Sequence, residues 1–362
     1  SRCRSGDWPP AAAARLGGGC HVEGRARMPP ADAVGGFATG GQGPVAVLDS
    51  GGGYVRAGLA TGAGPAASEP NCTATAKGQG RSLAVGAEVL DLPAYTLFRP
   101  ARRGLLLDPE QQRSIWDAVL RKRLNLETRE CSVFITEAPL TPARVRREVE
   151  EILFETFGFQ EVCVMPGPAL ALHSPGLRSQ LDPQNPCCTV LSAGHSGCVA
   201  LPTVEAQPVH RALRRLNVGG RVLTSLMVER LGLRHYDLGE NWLLAEDILN
   251  KVGEVSLDFD ADLRARFKSL APKTYVLPDY QSRRTGFVEQ ATDAKGAPEP
   301  PAAGDAAQRV KLLAERAVVP EALFSPRDHG IRQAGVAELL QRSIQAVGDA
   351  SWQPHLGQVA VC

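Results

Sequence analysis

The residues best suited to chemistry lie in a short turn between two apolar strands. An apolar run from Val45 to Leu48 leads into Asp49-Ser50-Gly51-Gly52-Gly53, and a second strand follows from Tyr54. Glycine and serine allow a backbone to approach phosphate oxygens and to donate N–H groups to them. A carboxylate at the strand end, here Asp49, is suited to holding Mg²⁺ through the water shell of that ion. The turn therefore predicts a phosphate-binding hairpin, although glycine-rich hairpin turns also occur for steric reasons alone.

A second segment of the chain has nearly the same pattern. From Thr189 to Leu201, two apolar runs flank the small-residue turn Ser192-Ala193-Gly194-His195-Ser196-Gly197, which lacks the aspartate. Two copies indicate duplicated half-domains that face a common cleft. Because His195 has no carboxylate or cysteine partner visible in the sequence, we interpret it as a loop histidine and not as a base or metal ligand.

The composition supports a folded protein without a strong electrostatic field of either sign. The chain has 362 residues, 43% of them hydrophobic, and a net charge of +1. This length indicates roughly two domains, and the charge argues against nonspecific nucleic-acid binding by the whole chain. The densest basic run, Arg211 to Arg215, is interpreted as a solvated strand or turn edge.

The nine cysteines lack the spacing of a zinc site. The adjacent pair Cys187-Cys188 is predicted to be two buried free thiols. The odd number, with no secretory segment and no apolar run near the length of a membrane span, favours a reducing intracellular compartment.

The elements that must position the two turns are of the α/β type. Strands are predicted over residues 131–136 and 161–165, with a helix between them that begins at Thr141, has Pro142 at its first position and ends at Gly158. Strand, helix and strand in this order form a βαβ unit, so helices pack against a mixed sheet.

Three segments stand apart from this pattern. Residues 1–44 are rich in Ala, Gly, Arg and Pro and are predicted to be a disordered or non-native leader. Residues 287–307 are rich in Pro, Ala and Gly and are predicted to be an exposed insertion, with partner docking as the functional hypothesis and a passive loop as the alternative. Residues 358–362 begin a strand at which the sequence stops.

Several segments resemble, in the family order, the core motifs of actin and the actin-related proteins. They are Ile135 to Pro142, Glu151 to Phe157, Asn217 to Thr224, Tyr275 to Asp279 and Val319 to Pro326. The resemblance covers the chain from about Val45 to its end. It implies the fold shared with hexokinase and the heat-shock 70 proteins, in which duplicated mixed-sheet halves surround a nucleotide cleft. The halves then correspond to residues 45–180, with a small inserted subdomain at about 69–104, and to residues 181–362, where the last part of the fold is missing.

Within the family, the chain is most similar to a nuclear subfamily, through Pro70-Asn71-Cys72, Arg103 to Asp108, Cys187-Cys188 and Asn217 to Gly220. This similarity implies a subunit of Swr-type chromatin remodellers, which exchange ordinary histone dimers for variant ones. The implied partners are other subunits of the complex, including its ATPase subunit, and indirectly histones and the nucleosome. It implies a nuclear location, with cytoplasm or cytoskeleton as the family's alternatives, and neither filaments nor membrane association.

The resemblance also assigns a ligand site for ATP or ADP with Mg²⁺. Asp49, Ser50, Gly51, Gly52 and Gly53 match the first phosphate loop, and Arg56 replaces the usual lysine. Gly194, His195 and Ser196 stand in the second loop, while Gly220 and Arg221 match the adenosine end. Asp49 is the implied metal ligand, through water.

Five further positions depart from the family pattern. Ser192 and His195 replace acidic residues, and Gly167 stands where actins have the glutamine that orients the attacking water. Leu249 and Asn250 replace a lysine and a glutamate near the nucleoside. Without a group to position it, the attacking water is not oriented and hydrolysis is not expected. The early chain end implies weakened or lost nucleotide binding. We therefore expect a non-catalytic scaffold subunit; the alternatives are an active actin-like ATPase or cytoskeletal protein and, less well matched, a sugar kinase.

Overall fold

The computed structural model describes residues 43–77, 83–174, 187–204, 207–239, 241–268, 270–281, 283–289, 307–348 and 357–362. The predicted leader, apart from residues 43 and 44, lies outside the described residues. So do residues 290–306 of the predicted insertion.

The described residues form both strands and helices, as an α/β fold requires. The strands are β1 Val45–Ser50, β2 Tyr54–Leu59, β3 Ala67–Pro70, β4 Thr73–Ala76, β5 Leu83–Val85, β6 Tyr95–Phe98, β7 Ala101–Arg102, β8 Leu105–Leu106, β9 Ser132–Glu137, β10 Val162–Pro166, β11 Cys188–Ala193, β12 Cys198–Val204, β13 Gln207–Pro208, β14 Arg214–Leu216, β15 Lys273–Val276, β16 Phe287–Glu289, β17 Arg309–Leu312 and β18 Val359–Val361. The α-helices are α1 Pro109–Asp117, α2 Ala143–Glu151, α3 Gly167–Leu170, α4 Gly220–Arg234, α5 Trp242–Val252, α6 Phe259–Arg264, α7 Glu315–Glu321 and α8 Val336–Gln345.

Two main sheets each contain one of the predicted hairpins. The first sheet has the order β10-β9-β1-β2-β3, and the second has the order β13-β12-β11-β18 with β14 also paired to β12. The β1–β2 and β11–β12 pairs are antiparallel, whereas β9 is parallel to β1 and β18 is parallel to β11. The mixed sheets and their similar hairpins confirm the predicted α/β class and the predicted strand at the chain end.

Smaller sheets accompany each half. The β5-β4-β6 sheet and the β7-β8 pair form the segment predicted as an inserted subdomain. In the second half, β16 pairs with β15, so residues 287–289 belong to a sheet. The prediction that the exposed insertion begins at residue 287 is therefore wrong for these three residues, because backbone pairing with β15 incorporates them.

The predicted βαβ unit is present as β9, α2 and β10. Helix α2 begins at Ala143, because Pro142 has an extended backbone and serves as the cap residue. The helix continues through a wider turn over Ile152–Thr156. It ends before Gly158, whose φ of +72° suits glycine. The prediction of the helix was correct, and its start lies two residues later than Thr141.

Apolar side chains form buried clusters in each half. In the first, the rings of Trp116 and Phe157 pack edge to face with centroids 6.4 Å apart. In the second, Met227, Ile248 and Tyr275 are fully buried. Burial of such side chains is the main stabilising contribution to each half. Among the described residues, no helix is both long and apolar enough to cross a bilayer.

Cys187 and Cys188 are both buried and neither is part of a disulfide, which confirms the prediction of buried thiols for this pair. In the basic run, Arg214 and Arg215 lie in β14 with partly exposed side chains.

Candidate functional site

The first hairpin is held in place by a buried asparagine. Ser50 ends β1, and the N–H of Gly51 donates to the carbonyl of Tyr54 at 3.0 Å. The side chain of Asn71 donates to the carbonyl of Gly51 at 2.7 Å. The backbone N–H of Asn71 donates to the carbonyl of Gly53 at 2.8 Å. Asn71 is itself bonded to the buried amide of Gln112. The turn predicted to grip phosphate is therefore a well-supported loop whose carbonyls are bonded to the protein.

Asp49 and Arg56 face each other across the β1–β2 pair. The guanidinium of Arg56 lies 3.4 Å from Asp49 Oδ2, and the hydroxyl of Thr136 donates to Asp49 Oδ1 at 2.7 Å. Both side chains of the ion pair are about half exposed. Asp49 thus retains access to solvent, as a water-mediated metal contact requires, and its assignment to Mg²⁺ remains a prediction. In the described part of the chain, no group of three or more His, Cys, Asp or Glu residues could hold a metal ion.

The second hairpin is fixed to the start of helix α4. The N–H groups of Gly220 and Arg221 donate to the carbonyls of Gly194 and His195, at 3.1 and 2.9 Å. A Cβ atom on Gly220 would approach the Cα of His195 to 3.2 Å. The structure therefore brings together the predicted residues of the second loop and of the adenosine end. The backbone N–H groups of Gly220 and Arg221 are thus hydrogen-bonded to the second hairpin and not directed at a ligand.

The two hairpins contact each other directly. A Cβ atom on Gly52 would overlap the hydroxyl oxygen of Ser196, and one on Gly53 would lie 2.9 Å from the Cβ of His195. Real Cβ atoms rarely approach so closely, so glycine is required at both positions for this packing. The glycines that predicted a phosphate cradle here accommodate the side chains of the opposite hairpin.

A buried ion pair joins the halves beside this contact. Arg99 donates to the carbonyl of Gly53 at 2.9 Å, and its other terminal nitrogen lies 2.8 Å from Glu246 of helix α5. The second oxygen of Glu246 is 3.5 Å from Nδ1 of His195. His195 lies in the turn between β11 and β12, as the prediction of a loop histidine has it, and helix α5 supplies the carboxylate partner that the sequence did not reveal. The Nε2 atom of His195 is buried without a hydrogen-bond partner among the described residues.

The charge state of Glu246 follows from these contacts. Burial would raise the pKa of its carboxyl group, but hydrogen bonding to His195 and the charge of Arg99 outweigh this effect and lower the pKa below its ordinary value. Glu246 is therefore ionised at neutral pH, as a buried carboxylate is when its partners are well placed.

The contact between the two hairpins bears on the predicted binding of a nucleoside triphosphate with Mg²⁺. The space between Gly52 or Gly53 and the second hairpin is taken by Ser196 and His195. Asp49 is engaged by Thr136 and Arg56. ATP or ADP binding remains a prediction, and no chemical step through a nucleotide follows from this geometry.

Gly167, one of the positions that depart from the family pattern, lies near the partner of Asp49. Gly167 begins helix α3, and a Cβ atom there would lie 4.0 Å from the Cβ of Thr136, the partner of Asp49. Ser192 is in β11. Leu249 is buried in the second core and Asn250 is exposed. The position near Asp49 that would orient water therefore has no side chain.

Sequence reasoning missed Arg99 and Glu246 as site residues. Glu246 lies between Leu243 and Leu249 on the buried face of α5. An acidic residue on an apolar helical face was the available signal, because a buried carboxylate needs a charged partner. Arg99 follows strand β6, and nothing in its own segment identifies its contacts.

Comparison with known proteins gives one consistent result. The family model described as Actin matches residues 40–362. The chain is 33% identical over 350 residues to actin-related protein 6 of Oryza sativa subsp. indica, covering 89% of this chain and 80% of that protein. It is 30% identical over 327 residues to actin-related protein 6 of Arabidopsis thaliana, covering 83% and 77%. It is 28% identical over 326 residues to actin-related protein 6 of Drosophila melanogaster, covering 86% and 78%. The resemblance of the motifs to one subfamily of the actin-related proteins is thus a resemblance to actin-related protein 6, and these comparisons confirm it.

Proposed function

Because the chain belongs to the actin family and is similar to actin-related protein 6, we propose that it is a non-catalytic subunit of a Swr-type chromatin-remodelling complex in the nucleus. Its role is to scaffold the exchange of ordinary for variant histone dimers. It contacts other subunits, among them the ATPase subunit, and acts on histones and the nucleosome indirectly. It forms neither filaments nor membrane contacts.

One observation carries the non-catalytic part of this proposal. Ser196 and His195 pack against Gly52 and Gly53, where the family's phosphate loops would face a nucleotide. The ion pair of Arg99 and Glu246 links the two halves at the same place. Direct packing of the two hairpins against each other suits a scaffold, whereas phosphoryl transfer needs positioned water and charge-stabilising groups.

A phosphate-release assay on the full chain, with ATP and Mg²⁺, tests the non-catalytic role. The expected rate equals that of a buffer control and does not change in Asp49→Ala. Turnover that Asp49→Ala abolishes would instead establish an actin-like ATPase, the alternative that the retained Asp49 and the positive charge of Arg56 favour. Sedimentation under the same conditions tests the absence of filaments, since a pelleting polymer would contradict it.

The partner assignment needs a separate experiment. The tagged chain is purified from cells, and the bound proteins are identified by mass spectrometry. The expected set contains a Swr-type ATPase subunit and a variant histone, and Asp49→Ala should retain the same set. Recovery of cytoskeletal partners in place of these proteins would refute the remodelling role.

A further inference from the structure

Four arginines, drawn from both halves, form a basic stretch of surface outside the hairpin contact. Arg211, Arg214 and Arg215 belong to the densest basic run of the sequence, and Arg103 lies in the turn between β7 and β8. The guanidinium of Arg215 donates to the carbonyl of Arg103, and that of Arg214 donates to the carbonyl of Arg211 at 3.1 Å. These contacts join the four residues across the two halves, and we call them the arginine ridge.

The charges of the arginine ridge are not neutralised within the described part of the chain, where none of the four forms an ion pair with a carboxylate. Arg211 donates instead to the carbonyl of Val347 at 2.7 Å. Burial, followed by the charge of Arg103, lowers the pKa of Arg215, so these two guanidinium groups repel each other. A guanidinium has five N–H donors, and the bonds to carbonyls use few of them. The ridge therefore has both charge and donors to offer to an anionic partner.

The arginine ridge borders an open edge of the second main sheet. Strand β14 pairs with β12 on one side and, among the strands that the structure describes, with none on the other. Successive side chains leave a strand on opposite faces, so Arg214 and Arg215 flank this edge from both faces. An extended segment of another protein can lie along such an edge.

We propose that the arginine ridge docks an acidic, extended segment of a partner protein. Guanidinium groups bind carboxylates through paired, charge-assisted hydrogen bonds. Adjacent acidic side chains of an extended segment point to alternate faces and so reach Arg214 and Arg215 together.

A nucleic acid suits the ridge less well than an acidic segment does. It covers a wide surface, whereas the 39 acidic residues of the chain nearly offset its 40 Lys and Arg, so the chain has no broad positive field. An acidic segment needs only the ridge. The inference holds for any partner protein and does not rest on the remodelling role.

The test is a fluorescence-anisotropy titration of the full chain with a labelled octapeptide of glutamate and valine that contains adjacent glutamates. We expect saturable binding, and none to the same peptide with glutamine in place of glutamate. Arg103→Ala and Arg214→Ala should each weaken binding about fivefold, as the loss of a partly exposed ion pair does. The matched control is Arg264→Ala on helix α6. Arg264 is exposed and is likewise bound by a backbone carbonyl, that of Asp260, so its removal should leave the affinity unchanged.

Three results would overturn the proposal. The first is that the glutamate peptide does not bind, or that the glutamine peptide binds equally well. The second is that either ridge arginine can be removed without loss of affinity, or that Arg264→Ala causes the same loss. The third is that a short DNA duplex binds more tightly than the peptide and depends on the same two arginines, which would make the ridge a nucleic-acid surface. Circular dichroism checks that each variant is folded.

Discussion

Arg99 and Glu246 are separated by 147 positions in the chain, yet their side chains meet at 2.8 Å, each about one-tenth exposed. Arg99 follows β6 in the first half, and Glu246 lies on α5 in the second. The guanidinium also donates to the carbonyls of Gly52 and Gly53. This one pair therefore connects the first hairpin, the inserted sheet and the second half.

Removing one partner of this pair should strongly destabilise the fold. Arg99→Ala leaves the carboxylate of Glu246 buried with its principal cation gone, which typically costs about 3–5 kcal/mol of unfolding free energy. Urea denaturation gives the measurement. The control is Arg113→Ala, which breaks an exposed pair with Glu110 and should cost under about 1 kcal/mol. Similar losses in the two variants would show that the buried pair has no special role.

The free energy of unfolding should also depend on pH, because of the ionisation of Glu246. Its pKa is lower in the folded protein than the ordinary value of 4.5, so the unfolded chain takes up the proton first. The stabilisation is then complete above pH 4.5 and is lost as the pH falls through the folded pKa. The difference in unfolding free energy between the wild type and Glu246→Gln should shrink as the pH is lowered from 7 to 3. A difference that stays constant over this range would contradict the assigned charge state.

The contact between the hairpins predicts a rescue experiment. Gly52→Ala places a methyl group on Ser196 and should cost about 1–3 kcal/mol by overpacking. Adding Ser196→Gly removes the overlapping hydroxymethyl group and should recover most of this loss, as measured by denaturation. Gly232→Ala serves as the control. No atom lies within 4 Å of a Cβ at that helical position, so alanine should be neutral or stabilising there by up to about 1 kcal/mol. Without recovery in the double variant, the hairpins are not in contact.

Local patterns predicted much of the fold, and long-range contacts account for what they missed. Apolar runs around small-residue turns identified both hairpins, and helical spacing before Gly158 identified α2, because these features arise from neighbouring residues. Residues 287–289 looked like loop because their pairing with β15 depends on a distant segment. The glycines at positions 52 and 53 suit phosphate or protein equally well in sequence. Only the position of His195 and Ser196 shows which of the two lies against them here.

The buried cysteines should be inert toward thiol reagents until the protein unfolds. Burial raises the pKa of Cys72 to about 12 and that of Cys198 to about 11. The thiolate is the reactive form, so both its fraction at pH 7.5 and its access to reagent are small. Iodoacetamide treatment followed by peptide mass spectrometry should find both residues unmodified in the native protein and fully modified in 6 M urea. Cys362 is exposed, and although partial burial of its thiol raises the pKa of this group, it should react before Cys72 and Cys198 in the native state, which makes it the internal control. Modification of Cys72 at the same rate as Cys362 would mean that the sheet formed by β4, β5 and β6 opens readily, since Cys72 packs in its core.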